Sequence, residues 1–339
     1  MKSLLKSKRK TAVAYISASL LLLTSVLLGI LLGGVKINVS DIFEALFCGN
    51  TVTAESKIIL YVRLPRVLSG IICGAALAVS GAVIQSVLAN KLASPSIIGV
   101  NSGAGLAVTV CAALGVVGGF GTSIFAFLGA LLAVSLVSLG AKRWGASRGT
   151  VILMGVAMNS LLGAISDAIV TLVPEVSLMR NDFKIGDLSG ATYTKLTYAA
   201  AIVIVSLILL FSLTSELDVL TLGDENARGL GLNVAVMRPL FLVLAALLAS
   251  SAVSIAGLLS FVGLLVPHAV RRISGSSART LLPLCAIFGA GFVTLCDTLS
   301  RVIFSPYEIP VGIIMAFLGA PFFLFILLKR REGTSNART

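Results

Sequence analysis

The chain has 339 residues, 57% of them hydrophobic and 12% charged, with a formal net charge of +12 and a mean hydropathy of +1.06. A soluble domain carries about 25% charged residues, so the polar surface here is too small to coat a soluble globule, and the chain is too apolar to be disordered. Five cysteines scattered at 48, 73, 111, 285 and 296 with no CxxC pair exclude a disulfide scaffold, leaving an integral membrane protein of about ten spans at roughly 20 residues each.

Ten apolar segments are predicted, at roughly 12–35, 64–88, 95–114, 121–140, 150–172, 196–214, 236–254, 256–270, 281–303 and 310–328. They are apolar all round and lack the period-2 alternation of barrel strands, which makes them helices. The first follows a basic start, Lys2, Lys6, Lys8, Arg9 and Lys10, as a signal peptide would. Its apolar run is too long and no A-x-A site follows, so it is expected to be a retained span. The second and third carry GxxxG spacing at Gly70/Gly74 and Gly99/Gly103, predicting close helix approach. The fifth carries Asp167 with no partner legible in the sequence, so a wet cavity or a shallow, solvated position is expected.

Between the sixth and seventh spans, Glu216 to Arg238 forms the longest inside loop. Asp224 and Glu225 precede Arg228 at helix spacing, and Gly229 and Gly231 read as stops. This predicts a short surface helix ending in a glycine turn, either a solvated connector or a docking element. The eighth segment is short and follows the seventh almost without a break, as a tilted or broken helix would. In the ninth, Asp297 and Arg301 are four apart on one helix face and can neutralise each other.

The basic residues sit in clusters between apolar runs rather than in a polar stripe, which is a topology signal and not a nucleic-acid surface. With the N-terminus inside, 18 Lys and Arg fall on the inner side and eight on the outer. Both termini are therefore expected in the cytoplasm, in agreement with an even span count.

No G-x-x-x-x-G-K-[ST] loop is present. One histidine, His268, and dispersed cysteines build no familiar metal or haem site, and no catalytic constellation or cofactor is expected. A proton pump shows a chain of buried carboxylates or histidines. None is legible here, so energy is expected to come from outside this polypeptide. The remaining classes are a transporter, a channel or a membrane subunit of a larger machine.

Several stretches are more specific than a span requires. Arg63-Leu64-Pro65-Arg66 places two arginines at the outer edge of the second span, for lipid head groups or an acidic external partner. Asn90-Lys91-Leu92-Ala93-Ser94-Pro95 follows that span. The loop holds Ala227-Arg228-Gly229-Leu230-Gly231. Later come Phe261-Val262-Gly263-Leu264, Pro267-His268 and Arg271, then Glu308-Ile309-Pro310-Val311-Gly312. In this order they resemble FecCD-type permease subunits of ABC importers for iron–siderophore complexes, haem and cobalamin, over about residues 36–329. One departure is Lys91, where that family usually has proline.

The resemblance implies an all-α integral membrane protein of the type II ABC importer permease kind, forming a single domain over 1–339 with a coupling loop at 215–235. It implies a homo- or heterodimer of permeases in the cytoplasmic membrane, two cytoplasmic ATPase subunits that hydrolyse the ATP, and an extracytoplasmic binding protein. Arg63, Arg66 and Arg301 then resemble the arginines that dock the binding protein. Asp224, Glu225, Arg228, Gly229, Leu230 and Gly231 resemble the ATPase-coupling helix, and Asn90 and Leu92 the inner gate. An iron–siderophore is the implied cargo, with haem or cobalamin as alternatives. An ion-coupled secondary transporter using Asp167 and a membrane protein without transport are the competing classes.

Overall fold

In the computed structural model every regular element among the described residues is helical, and each of the ten predicted segments is met by a helix. Residues 2–47, 53–116, 118–143 and 147–335 are described, with the side chains of 2–9, 47 and 325–335 excepted; Cys48 and Arg338 lie outside the described residues. The helices are α1 (Lys2–Leu31), α2 (Val39–Phe47), α3 (Ala54–Ile58), α4 (Leu64–Val87), α5 (Val100–Ala113), α6 (Gly119–Arg143), α7 (Arg148–Leu172) and α8 (Ser177–Ile185). They continue as α9 (Tyr193–Ser212), α10 (Thr214–Thr221), α11 (Asp224–Gly229), α12 (Val234–Ala256), α13 (Val262–Ser274), α14 (Ala278–Val302) and α15 (Val311–Ser335). A π-helical turn, Ile59–Arg63, joins α3 to α4, so the chain is helical without a break from Ala54 to Val87. Among the described residues, seven helical stretches are long and apolar enough to cross a membrane, and Val100–Ala113 and Val311–Leu324 are shorter apolar helices.

α4, α12 and α14 are mostly buried and form the centre, whereas α1, α6, α7 and α9 turn most of their surface outward. Apolar side chains gain nothing by leaving lipid for one another, so close backbone approach does much of the packing. The sequence supplies small residues where this happens. A methyl group on Gly74 would overlap the backbone of Gly289 and Ala290 on α14, and one on Gly81 the carbonyl of Gly263 on α13. Gly103 lies as close to Gly129 on α6. The predicted pair Gly99/Gly103 is only half a contact motif. Gly99 has φ +94, a left-handed conformation that ends a 3-10 turn at Pro95–Ile98 and starts α5.

The short eighth segment is α13, separated from α12 by a real break. Pro267 lies inside α13 and does not interrupt it. The break falls at Gly257–Phe261, and Phe261 has φ +66. There the chain is knitted to the α8 end: Leu258 N–H donates to Phe183 O at 3.0 Å and Asp187 N–H to Ala256 O at 2.8 Å. Gly312 N–H donates to Gly186 O at 3.1 Å, and a side chain on Gly312 would collide with the Ile185 carbonyl. The Pro-Val-Gly sequence is thus a close-approach site.

Candidate functional site

α4 has 24 residues and spans about 36 Å at 1.5 Å per residue, which separates two charged clusters. At its start, Arg63, Arg66 and Arg301 are all buried. Their burial has a physical cause in α1. A helix ends with carbonyls that lack intrahelical donors, and cations suit that end. Arg63 Nη1 donates to Ile30 O at 2.7 Å and Leu31 O at 3.0 Å, and Nη2 to Val35 O at 2.5 Å. Arg301 Nη1 reaches Gly29 O at 3.2 Å and Leu32 O at 3.4 Å.

Arg66 faces the carboxylates instead. Its Nε donates to Asp297 Oδ1 at 2.8 Å and its Nη1 to Glu308 Oε2 at 2.6 Å, with Asp187 Oδ1 3.8 Å from Nη2. Asp297 also pairs with Arg301 at 3.1 Å, so the neutralisation foreseen from their spacing is present. Two of the three arginines, Arg66 and Arg301, thus meet the carboxylates, while Arg63 is held by backbone carbonyls. The most accessible side chains among the paired groups are the carboxylates: Glu308 is 41% exposed and Asp187 31%, against 4% for Arg66.

At the opposite end Asp218 caps α14 from another helix, accepting from Ala278 N–H at 2.7 Å and Ser277 Oγ at 2.9 Å. The predicted surface helix exists as α11 and ends at Gly229, with Gly231 at φ +84. Asp224, however, pairs with residues outside its own helix. Arg238 Nη2 of α12 donates to it at 2.5 Å, and Arg148 Nη2, at the first residue of α7, lies 3.7 Å away. Arg148 also donates to Leu220 O at 3.0 Å. The hydrogen bond from Arg238 holds the Asp224 carboxyl below the usual carboxylate range, with desolvation opposing it and the charges of Arg238, Arg148 and Arg228 adding to it. Glu225 and Arg228 are exposed, as are Leu222 and Leu230 on either side.

Nearby, Arg271 of α13 donates to Gln85 Oε1 and to Ala82 O of α4, while Gln85 Nε2 donates to Gly263 O at 3.1 Å. Asn90 closes a tight turn after α4, its Oδ1 accepting from Leu92 N–H at 2.9 Å, and leaves Leu92 exposed.

Between α5, α7 and α8 lies a cavity of about 450 Å³ lined in part by Asn101, Ser102, Asn159, Asp167, Arg180 and Lys184. Ser102 Oγ donates to Asn159 Oδ1 at 2.6 Å, and Asn159 Nδ2 to Ser96 O at 2.9 Å. Ser96 and Asn101 also line a neighbouring cavity of about 230 Å³ beside Phe261. Asp167 does line a cavity, but it is not without a partner: Arg180 of α8 forms an ion pair with it. Among the described residues no group of three or more His, Cys, Asp or Glu is placed to hold a metal ion.

The sequence profile of the FecCD transport family matches residues 21–329. The chain belongs to that family. This FecCD chain is 35% identical to the Fe(3+)-citrate import system permease protein YfmD of Bacillus subtilis, over 94% of the chain and 95% of the relative. It is 39% identical to the cobalamin import system permease protein BtuC of Halobacterium salinarum, over 79% and 73%. Its fold matches a solved structure assigned to the metal-chelate type of ABC transporter in an inward-facing conformation, with a TM-score of 0.82, 28% identity, and 93% and 98% of the two chains covered. The FecCD chain is a multi-pass membrane protein. Of the motif residues named from its sequence, Arg63 and Arg66 fall at one end of α4 and Asn90 at the other, while Gly263 packs against its middle at Leu77 and Gly81. Asp187 and Glu308, and the basic pair Arg148 and Arg238, complete the charged clusters. Glu308 stood in a motif. Asp187 stood in none, and only the fold brings it within reach of Arg66.

Proposed function

We propose that this chain is the membrane-spanning subunit of an ATP-driven importer that moves an iron chelate across the cytoplasmic membrane by alternating access. The observation that carries this is the agreement of family, fold and length: the FecCD match covers residues 21–329, and the ABC transporter of metal-chelate type superimposes over 93% of the chain. Similarity to a ferric-citrate permease supports iron chelates, and similarity to a cobalamin permease supports a cobalamin carrier as the second cargo.

In this reading the chain is one domain with both termini in the cytoplasm. A second permease subunit completes the path, and two ATPase subunits hydrolyse ATP. They dock on residues 215–235, where Leu222 and Leu230 stand exposed beside the charged turn of α11. Asn90 and Leu92 narrow the inner end of the path. The binding protein docks over Arg63, Arg66 and Arg301. Reconstituting the chain with its partner subunits in liposomes and measuring ATP-dependent uptake of ferric citrate tests the proposal. Uptake without an ATPase, driven by a proton or sodium gradient, would replace it with a secondary transporter.

The burial of the arginines sets a sharper expectation for docking. Glu308 and Asp187 already occupy Arg66, so an acidic partner competes with them. Glu308→Gln keeps an acceptor for Arg66 Nη1 but removes the negative charge that neutralises it at the rim, and should tighten binding-protein affinity several-fold at low ionic strength, with the gain fading as salt rises. Affinity unchanged by this variant across salt concentrations removes Arg66 from the docking surface.

A further inference from the structure

At the α11 end, three membrane-spanning helices and the short helix converge on a small cavity. It is lined by Lys142 near the end of α6, Arg228 of α11 and Arg238 of α12, with Asp224 the one carboxylate among its lining residues. Arg148 adds a fourth cation from the start of α7, 3.7 Å from the same carboxylate. Four cations and one acid leave a strongly positive recess. Asp224 is already held by Arg238, whereas Lys142 and Arg228 are exposed at the mouth.

The place and the size narrow what fits. The cavity sits at the ends of apolar α6, α7 and α12, helices of 25, 25 and 23 residues. At 1.5 Å per residue these outreach a hydrocarbon core of about 30 Å, which puts their ends at head-group level. Within a turn of its lining residues, Leu139, Leu153 and Val236 are exposed apolar side chains on those same three helices, a surface suited to acyl chains. Its volume of about 60 Å³ holds a few water-sized groups at roughly 10–15 Å³ each. That is enough for one phosphate and far too little for a chelated metal. Basic pockets between spans are the recurrent way membrane proteins hold anionic head groups.

We infer that this recess binds the phosphate of an anionic phospholipid, with Lys142 and Arg228 as the outer contacts and Arg238 behind them. Bound there, the lipid bridges α6, α11 and α12, and so braces the short helix against the bundle. The inference concerns a site apart from the cavity beside α8 and holds whatever the cargo.

The test is native mass spectrometry of the full-length chain in detergent, titrated separately with phosphatidylglycerol, phosphatidylcholine and inorganic phosphate. Phosphatidylglycerol should be retained in preference to phosphatidylcholine. The double variant Lys142→Gln, Arg228→Gln, which changes only exposed residues, should weaken it about thirtyfold, at roughly fivefold per cation. Equal retention of the two lipids by the wild-type chain overturns the inference. So does inorganic phosphate binding with no added affinity for the lipid. A double variant that binds phosphatidylglycerol as tightly as the wild type also overturns it, whatever it does to the ATPase.

Discussion

Asp297→Ala is expected to cost the folded chain about 3–5 kcal/mol, the usual penalty for stranding buried charge by removing one partner. Asp297 is fully buried and touches two arginines that are themselves almost wholly enclosed. Without it Arg66 keeps Glu308 and a distant Asp187, but Arg301 keeps neutral acceptors only. The double variant Asp297→Ala, Arg301→Ala should recover part of the loss, because it removes the stranded cation together with its partner. Thermal unfolding of the purified full-length chain, followed by its monodisperse peak on size exclusion, reads both. A single variant that melts with the wild type, or a double variant less stable than the single, refutes the clamp. The same carboxylate is therefore first a structural group, and any docking by the neighbouring arginines is built on that clamp.

The second large effect is expected at Asp224. This one carboxylate fastens α11 to the first residue of α7 and to α12, and α7 carries Asn159 and Asp167 in the wall of the 450 Å³ cavity. A push on the short helix therefore has a direct ionic route to that wall. Asp224→Asn keeps the size and removes the charge. It should lower transport per ATP hydrolysed by about tenfold, within the usual range for coupling between sites, while the ATPase still co-purifies. Replacing Asp224, Glu225 and Arg228 together by Ala should loosen the ATPase itself. The pH dependence has a definite sign. The folded-state pKa of Asp224 is lowered, chiefly by the Arg238 hydrogen bond, so its contribution is complete above the ordinary carboxylate value of about 3.9. It is lost only as pH falls through the lower folded value. The wild type and Asp224→Asn should thus stay apart from neutral pH down to about 5. Equal coupling ratios for the two at pH 7 would show that α11 transmits nothing through this carboxylate.

What the sequence made legible follows from the range of the forces involved. The ten apolar runs are local signals, and each became a helix, including the short α13. The Asp297–Arg301 pair is also local, one helical turn. Arg66 and Asp297 are 231 positions apart, and nothing in either neighbourhood points to the other. Asp167 shows no partner in the sequence because Arg180, 13 positions on, sits on α8 beyond the end of the Asp167 span. In α2, Val39, Ile42, Phe43 and Leu46 recur at helical spacing with Asp41 and Glu44 between them, a short amphipathic helix hidden among the long apolar runs. The motif glycines were legible as tight packing, but only the fold separates Gly74, which meets another backbone, from Gly99, which turns the chain.

The end of α1 has a consequence for the order of assembly. Its last carbonyls take donors from Arg63, some 30 positions later, and from Arg301, whose bond to Gly29 O spans 272 positions. At a synthesis rate of roughly 5–20 residues per second, that interval is on the order of tens of seconds. Once made, α1 therefore waits in the bilayer with its end incompletely satisfied until α14 has followed. Its final seating is a late event in biogenesis, and a chain cut short before Arg301 carries α1 without the latch that holds it to the finished bundle.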